Sequence, residues 1–280
     1  MLACYKMHLK RMFTRREYMF VVTVLLIMLT AAFVESCRNV FGWLESSLNS
    51  AALGWIMYTD QQPFGNTGMR IFVFFLFGIL AALVYGDAPC TDKKARALLP
   101  AVVRTKGKQY EMSGVLAAFT GAFVTFFAFF LLSQLLALAV FPINSSFYDY
   151  YAVAAWEDSL NKDPLFPVLF FQYPYLNNLV YMIGASFWAG VLAVMAYIVS
   201  LFIGNRLFAL GLPQLFLYLM AFLQGLGLPF QVSVIYYLYP TTVVQTISPW
   251  FFFLAPMVVM GLLACLITAY MVSKSGSDYL

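Results

Sequence analysis

The stretch CTDKKARALLPAVVRTKGKQY, residues 90–110, holds six of the sixteen Lys and Arg residues of a 280-residue chain that is 63% hydrophobic and only 10% charged. It separates two apolar runs, Ile71–Tyr85 and Gly114–Val140. A bilayer core about 30 Å thick takes about 20 mostly apolar residues as a helix. Soluble domains carry about 25% charged residues. The two runs therefore read as membrane spans, and the basic stretch reads as a loop on one side of the membrane.

Working outward from this loop, four more apolar runs appear: Met19–Phe33, Asn178–Ile203, Phe208–Leu226 and Trp250–Val272. The expectation is an all-α polytopic membrane protein, a single transmembrane domain over 1–280. Its six spans are read at 19–35, 71–85, 114–140, 178–203, 208–226 and 250–272. The basic leader before the first run also fits a signal peptide, but TAAFVESC offers no small-x-small cleavage site, so the run is read as an uncleaved span. From Leu207 to Ser273 there is no charged residue. Inside that tract, residues 227–249 are apolar but interrupted by Gly227, Pro229, Pro240 and Pro249. Broken backbone at membrane depth must be packed in protein or line a cavity, so this piece is read as a re-entrant segment of two half-helices from the outer side, with a seventh span as the alternative that periodicity leaves open.

Six spans place both termini on one side. The leader (Lys6, Lys10, Arg11, Arg15, Arg16), the 86–113 loop, Arg206 and Lys274 then share that side and contribute thirteen basic residues, against Arg38, Arg70 and Lys162 on the other. Positive charge marks the cytoplasmic side. Residues 1–18 are expected to form a cytoplasmic interfacial helix, with His8 solvated or interfacial. The outer loops, VFGWLESSL (40–48) and the aromatic-rich 147–175, are expected to lie on the outer leaflet.

Several chemistries leave no trace. There is no GxxxxGK[ST] loop, HExxH or GxSxG. The basic residues cluster by membrane side rather than on a nucleic-acid face. The four cysteines have no metal-ligand spacing. No ionisable residue falls in the deep parts of the six spans, which argues against a proton relay. Ser133, Gln134, Gln214 and Gln224 are expected to bridge helices. The chain reads as a transport subunit rather than an enzyme.

Within the opening stretch, Ala95, Leu98, Leu99, Val102 and Val103 recur at helical spacing. Thr91 or Asp92 can cap the start, Lys93, Lys94 and Arg96 lie on another face, and Pro100 divides the segment. Two readings stay open: an interfacial loop that only fixes topology, and an amphipathic docking element for a soluble motor.

RTKGKQYEMSG (104–114), following this loop and leading into the third span, resembles the permease subunits of ABC-2 type exporters from Gram-positive bacteria. In that family an Arg, a short basic run, an aromatic and a Ser-Lys pair precede the third span. Arg104, Lys108, Tyr110 and Ser113 fit, and Gly114 stands where the family has Lys. The likeness of layout extends over nearly the whole chain. It implies an ABC-2 (type V exporter) fold, with 86–113 as the cytoplasmic coupling loop. Thr91, Asp92, Lys93, Lys94, Arg96, Leu98, Leu99, Val102, Val103 and Arg104 would face a cytoplasmic ABC ATPase subunit. It further implies pairing with a second permease copy or a homologous permease, lipid contact, and residence in a bacterial plasma membrane with both termini cytoplasmic. ATP and Mg would act through the partner, with no cofactor bound by this chain. The cargo class would be an amphipathic peptide, antimicrobial or cytolytic, or a lipid-like molecule. Two other classes are weighed against this: a motor-independent channel or secondary transporter, and an interfacial lipid-active enzyme using Glu157, Asp158 or His8.

Overall fold

The computed structural model describes residues 1–41, 50–52, 54–57, 67–94, 107–143, 165–227, 233–238, 240 and 249–277. A first helix, α1 (Leu2–Thr14), stops where Arg15 takes an extended conformation, and α2 (Arg16–Phe41) begins at once. There follow α3 (Thr67–Tyr85), α4 (Ala88–Lys94), α5 (Gly107–Val140), α6 (Pro167–Gln172), α7 (Pro174–Ile203), α8 (Arg206–Gly225) and α9 (Pro249–Ser277). Among the described residues every regular element is helical. Six of the helices, α2, α3, α5, α7, α8 and α9, are long and apolar enough to cross a membrane. This is a multi-pass membrane protein.

The helices start earlier than the apolar runs do. The third begins at Gly107 rather than 114, because Lys108, Gln109, Glu111 and Met112 are good helix formers and carry the backbone on. At 34 residues, α5 is about 51 Å long, so it extends beyond the hydrocarbon core.

α7 is the central helix. Of its most apolar window 72% is buried, against 22% for α8 and for α9, which leaves those two facing lipid. It packs along α5 and also touches α3, α4, α8 and α9. Between helices in a bilayer, close packing and hydrogen bonds replace the hydrophobic drive, and small residues permit the approach. Gly114, Ala118 and Ala122 on α5, and Ala185, Ala189 and Ala193 on α7, form rows four residues apart and are all buried. Gly114 lies under Tyr197: a Cβ there would sit 1.9 Å from the phenol oxygen. A side chain at 114 would have to displace the Tyr197 phenol.

Two breaks in regular backbone are held by side chains. In α3, residues Phe72–Leu76 form a π-turn. The side chain of Gln214, from α8, accepts from Gly78 N at 2.9 Å and donates to the Phe74 carbonyl at 2.5 Å. One amide thus replaces both halves of the backbone bond that an unbroken α-helix would make between these residues.

The second break lies at residues 50–52 and 54–57, which follow the 40–48 stretch in the connection after α2. Ala51, Ala52, Trp55, Ile56 and Met57 are buried, at 2% exposure or less. Gln134 Nε2 donates to the Ala51 carbonyl and Asn178 Nδ2 to the Ala52 carbonyl, both at 2.8 Å. Trp55 Nε1 donates to Ser133 Oγ at 2.6 Å. Irregular backbone is tolerated here because protein satisfies it. Likewise, Phe166 and Phe170 of the second outer loop pack on the bundle rather than lying free, Phe166 against Tyr181 and Phe252. Residues 42–49 and 144–164 lie outside the described residues. Of the segment read as re-entrant, Val234–Tyr237 form one buried 3-10 turn packed on α7 and α8. Most of the remainder lies outside the described residues.

Candidate functional site at the basic end of the bundle

The α1–α2 elbow, the link from α3 to α4, the start of α5, the end of α7 and the start of α8 meet at one end of the bundle. Each arrives there for a local reason. α7 stops at Gly204, whose left-handed φ of +64° a β-carbon would strain, and Asn205 then caps α8 by accepting from Leu207 N at 3.0 Å. That cap places Arg206 in the first turn. The elbow at Arg15 turns its guanidinium into the same space.

Two ion-pair groups fill this space. In the first, Asp87 is fully buried and is held by Arg15 Nη2 at 2.9 Å and by Arg206 Nε at 2.8 Å. Glu17 completes the ring, 2.8 Å from Arg206 Nη2 and 3.5 Å from Arg15 Nε. Burial pushes the Asp87 carboxyl above the ordinary aspartate range, against the pull of both guanidiniums. In the second group Arg11 pairs with Asp92, which also accepts from Tyr110 Oη at 2.9 Å. Arg11, Arg15 and Arg206 thus face Asp87, Asp92 and Glu17, three cations against three anions. Asp87 and Asp92 are the buried members, and for them pairing fixes geometry more than it adds net stability, since the gain is set against their desolvation.

His8 joins the two groups. It is 1% exposed, its Nδ1 lies 2.7 Å from Tyr85 Oη, and its ring packs 4.5 Å from that of Tyr110. The expectation of a solvated or interfacial histidine is overturned. Burial lowers its pKa below 6.5, with Asp92 acting in the opposite direction. Likewise α1 does not simply lie on a membrane surface. Cys4, His8 and Met12 recur every four residues and bury one face against α5, where Tyr5 Oη meets Thr120 Oγ1 at 2.9 Å. That four-residue row, opposite Lys6 and Lys10, is the signal in the sequence that could have revealed the packing.

The coupling-loop residues divide. α4 begins at Ala88, three residues ahead of Thr91, so neither Thr91 nor Asp92 caps it; the preceding residue is Asp87, whose carbonyl receives Cys90 N and Thr91 N. Thr91 Oγ1 donates back to the Ala88 carbonyl at 2.8 Å. Asp92 faces the interior of the chain, 2% exposed. Lys93 Nζ reaches the C-terminal end of α7, donating to the Leu201 carbonyl at 2.6 Å and approaching that of Ser200 at 3.5 Å. A cation belongs there, where carbonyls lack helical partners. Lys94 ends α4. Arg96, Leu98, Leu99, Val102, Val103 and Arg104 lie outside the described residues, as do Glu157 and Asp158. Tyr110 and Ser113 lie within α5, both buried, with Ser113 Oγ donating to the Tyr110 carbonyl at 2.8 Å.

Asp87 is the residue that the sequence reading missed, since it falls just outside the apolar runs, while Asp92 and His8 were read as partner-facing and solvated and are instead buried. Glu111, 8% exposed, sits with them at the start of α5. Compared with models of protein families, with curated proteins and with solved structures, the chain matches none.

Proposed function

We propose that this chain is the membrane permease subunit of an ATP-driven exporter of the ABC-2 type, coupled to a separate cytoplasmic ATPase through the segment that runs from α4 to α5. The observation that carries the reading is the anchoring of α4. Over its described residues, Ala88–Lys94, it is fixed to α1 through Asp92, to α5 through Tyr110, and to α7 through Lys93. A push on the loop that follows would be transmitted to all three helices, which is what a motor-driven permease needs. The apolar residues Leu98, Leu99, Val102 and Val103 supply the docking face, Arg96 and Arg104 its basic rim. An amphipathic cargo, peptide or lipid-like, suits a bundle with broad lipid-facing apolar surfaces.

The test is purification in mild detergent from the native host, with assay of ATP hydrolysis in the eluate. A co-eluting ATPase, released by Leu98→Asp with Leu99→Asp while the permease still folds, is the expected result. Undiminished ATPase binding by that double variant overturns the coupling assignment. A second reading is a motor-independent channel or secondary transporter, in which the buried His8 and Glu111 would act at the basic end of the bundle rather than at membrane depth. Flux through the purified chain in liposomes without ATP would favour it.

A further inference from the structure

We infer that the outward face of α1 is a contact site for anionic lipid headgroups. Residues 1–16 contain five cations and no acid, and the structure sorts these cations in two directions. Arg11 and Arg15 turn inward and are neutralised by Asp92 and Asp87. Lys6, Lys10 and Arg16 are exposed, and among the described residues no carboxylate pairs with them. At 100° per residue, Leu2, Phe13, Lys6 and Lys10 occupy one continuous arc of α1, opposite the buried row Cys4–His8–Met12. Leu2 is 68% and Phe13 51% exposed, and the apolar exposure continues onto α2 through Met19 and Phe20, both 58%.

This combination selects the occupant. Exposed apolar side chains beside unpaired cations, on a helix that leads directly into a spanning helix, fit the boundary where acyl chains meet headgroups. An acidic protein or a nucleic acid would match the cations but leave Leu2 and Phe13 in water. Phosphate-bearing anionic lipid satisfies both, and polybasic segments beside a span gain affinity for it in this way. The inference rests on the membrane architecture and stands whether or not the exporter reading holds.

The experiment places the full-length protein in phosphatidylcholine vesicles with trace spin-labelled phosphatidylglycerol or phosphatidylcholine, and reads the immobilised fraction of each. The protein is expected to prefer phosphatidylglycerol. That preference should fall by roughly threefold or more in Lys6→Gln/Lys10→Gln/Arg16→Gln, since each cation near the surface adds to the attraction. The single variants Lys6→Gln and Lys10→Gln, each expected to lose part of the preference, keep the question answerable if the triple variant does not fold. A preference for phosphatidylglycerol that the variants leave unchanged overturns the inference, as does its absence in the parent. Binding of an acidic protein to this face would leave the lipid preference untouched and would also count against it.

Discussion

His8 shows how much one side chain can carry. Buried between Tyr85 of α3, Tyr110 of α5, Asp92 of α4 and its neighbour Arg11, it is held neutral by burial. The unfolded chain would protonate near the ordinary histidine value of about 6.5, and the folded chain only below it. Between those values the unfolded state binds more protons, so stability is full above about pH 6.5 and declines as pH falls. Thermal unfolding in detergent between pH 7.5 and 5 should show this slope, and His8→Asn should flatten it; a slope unchanged in the variant would remove His8 from the account. In the sequence His8 is one polar residue in a basic leader, and nothing local distinguishes a solvated ring from a packed one. The distinction depends on α5 and α3, more than 75 residues away along the chain.

Elements were legible where apolar length decides them and illegible where a side chain replaces backbone. The runs that end at Tyr85, Val140 and Ile203 end there in the structure too, where Gly86, Pro142 and Gly204 follow in the sequence. By contrast, the π-turn in α3 leaves no mark in its own residues, Phe72–Leu76. Its cause is Gln214 on another helix. Replacing that residue with leucine would leave Gly78 N–H and the Phe74 carbonyl without their partner in a buried site, at about 1–3 kcal/mol for each group. Gln214→Leu should therefore melt well below the parent, measured by circular dichroism in detergent. An equal melting temperature would mean that α3 repairs itself by returning to an α-helical register.

At the scale of the molecule, six spans and their basic end could be read from composition, because charge cannot be hidden in a bilayer. What fills the bundle could not. Nothing in the sequence after α2 marks residues 50–52 and 54–57 as interior, yet they fill space between α5 and α7. If Gln134 and Asn178 hold them there, Gln134→Leu with Asn178→Leu should release them. In a background without the native cysteines, Ala51→Cys should resist a membrane-impermeant maleimide in the parent and react at least roughly tenfold faster in the double variant, an opening of about 1.4 kcal/mol or more. Labelling that is slow in both would show that packing alone retains the segment.

That same segment fixes a sequence of events during biosynthesis. Its carbonyls at Ala51 and Ala52 find their donors on residues 83 and 126 positions later in the chain. Until the third and fourth spans have been made, the Ala51 and Ala52 carbonyls lack the side chains that donate to them. Only when α5 and α7 have both entered the bilayer can the segment move inward, so its seating is a late step of maturation that separates an inserted chain from a finished one.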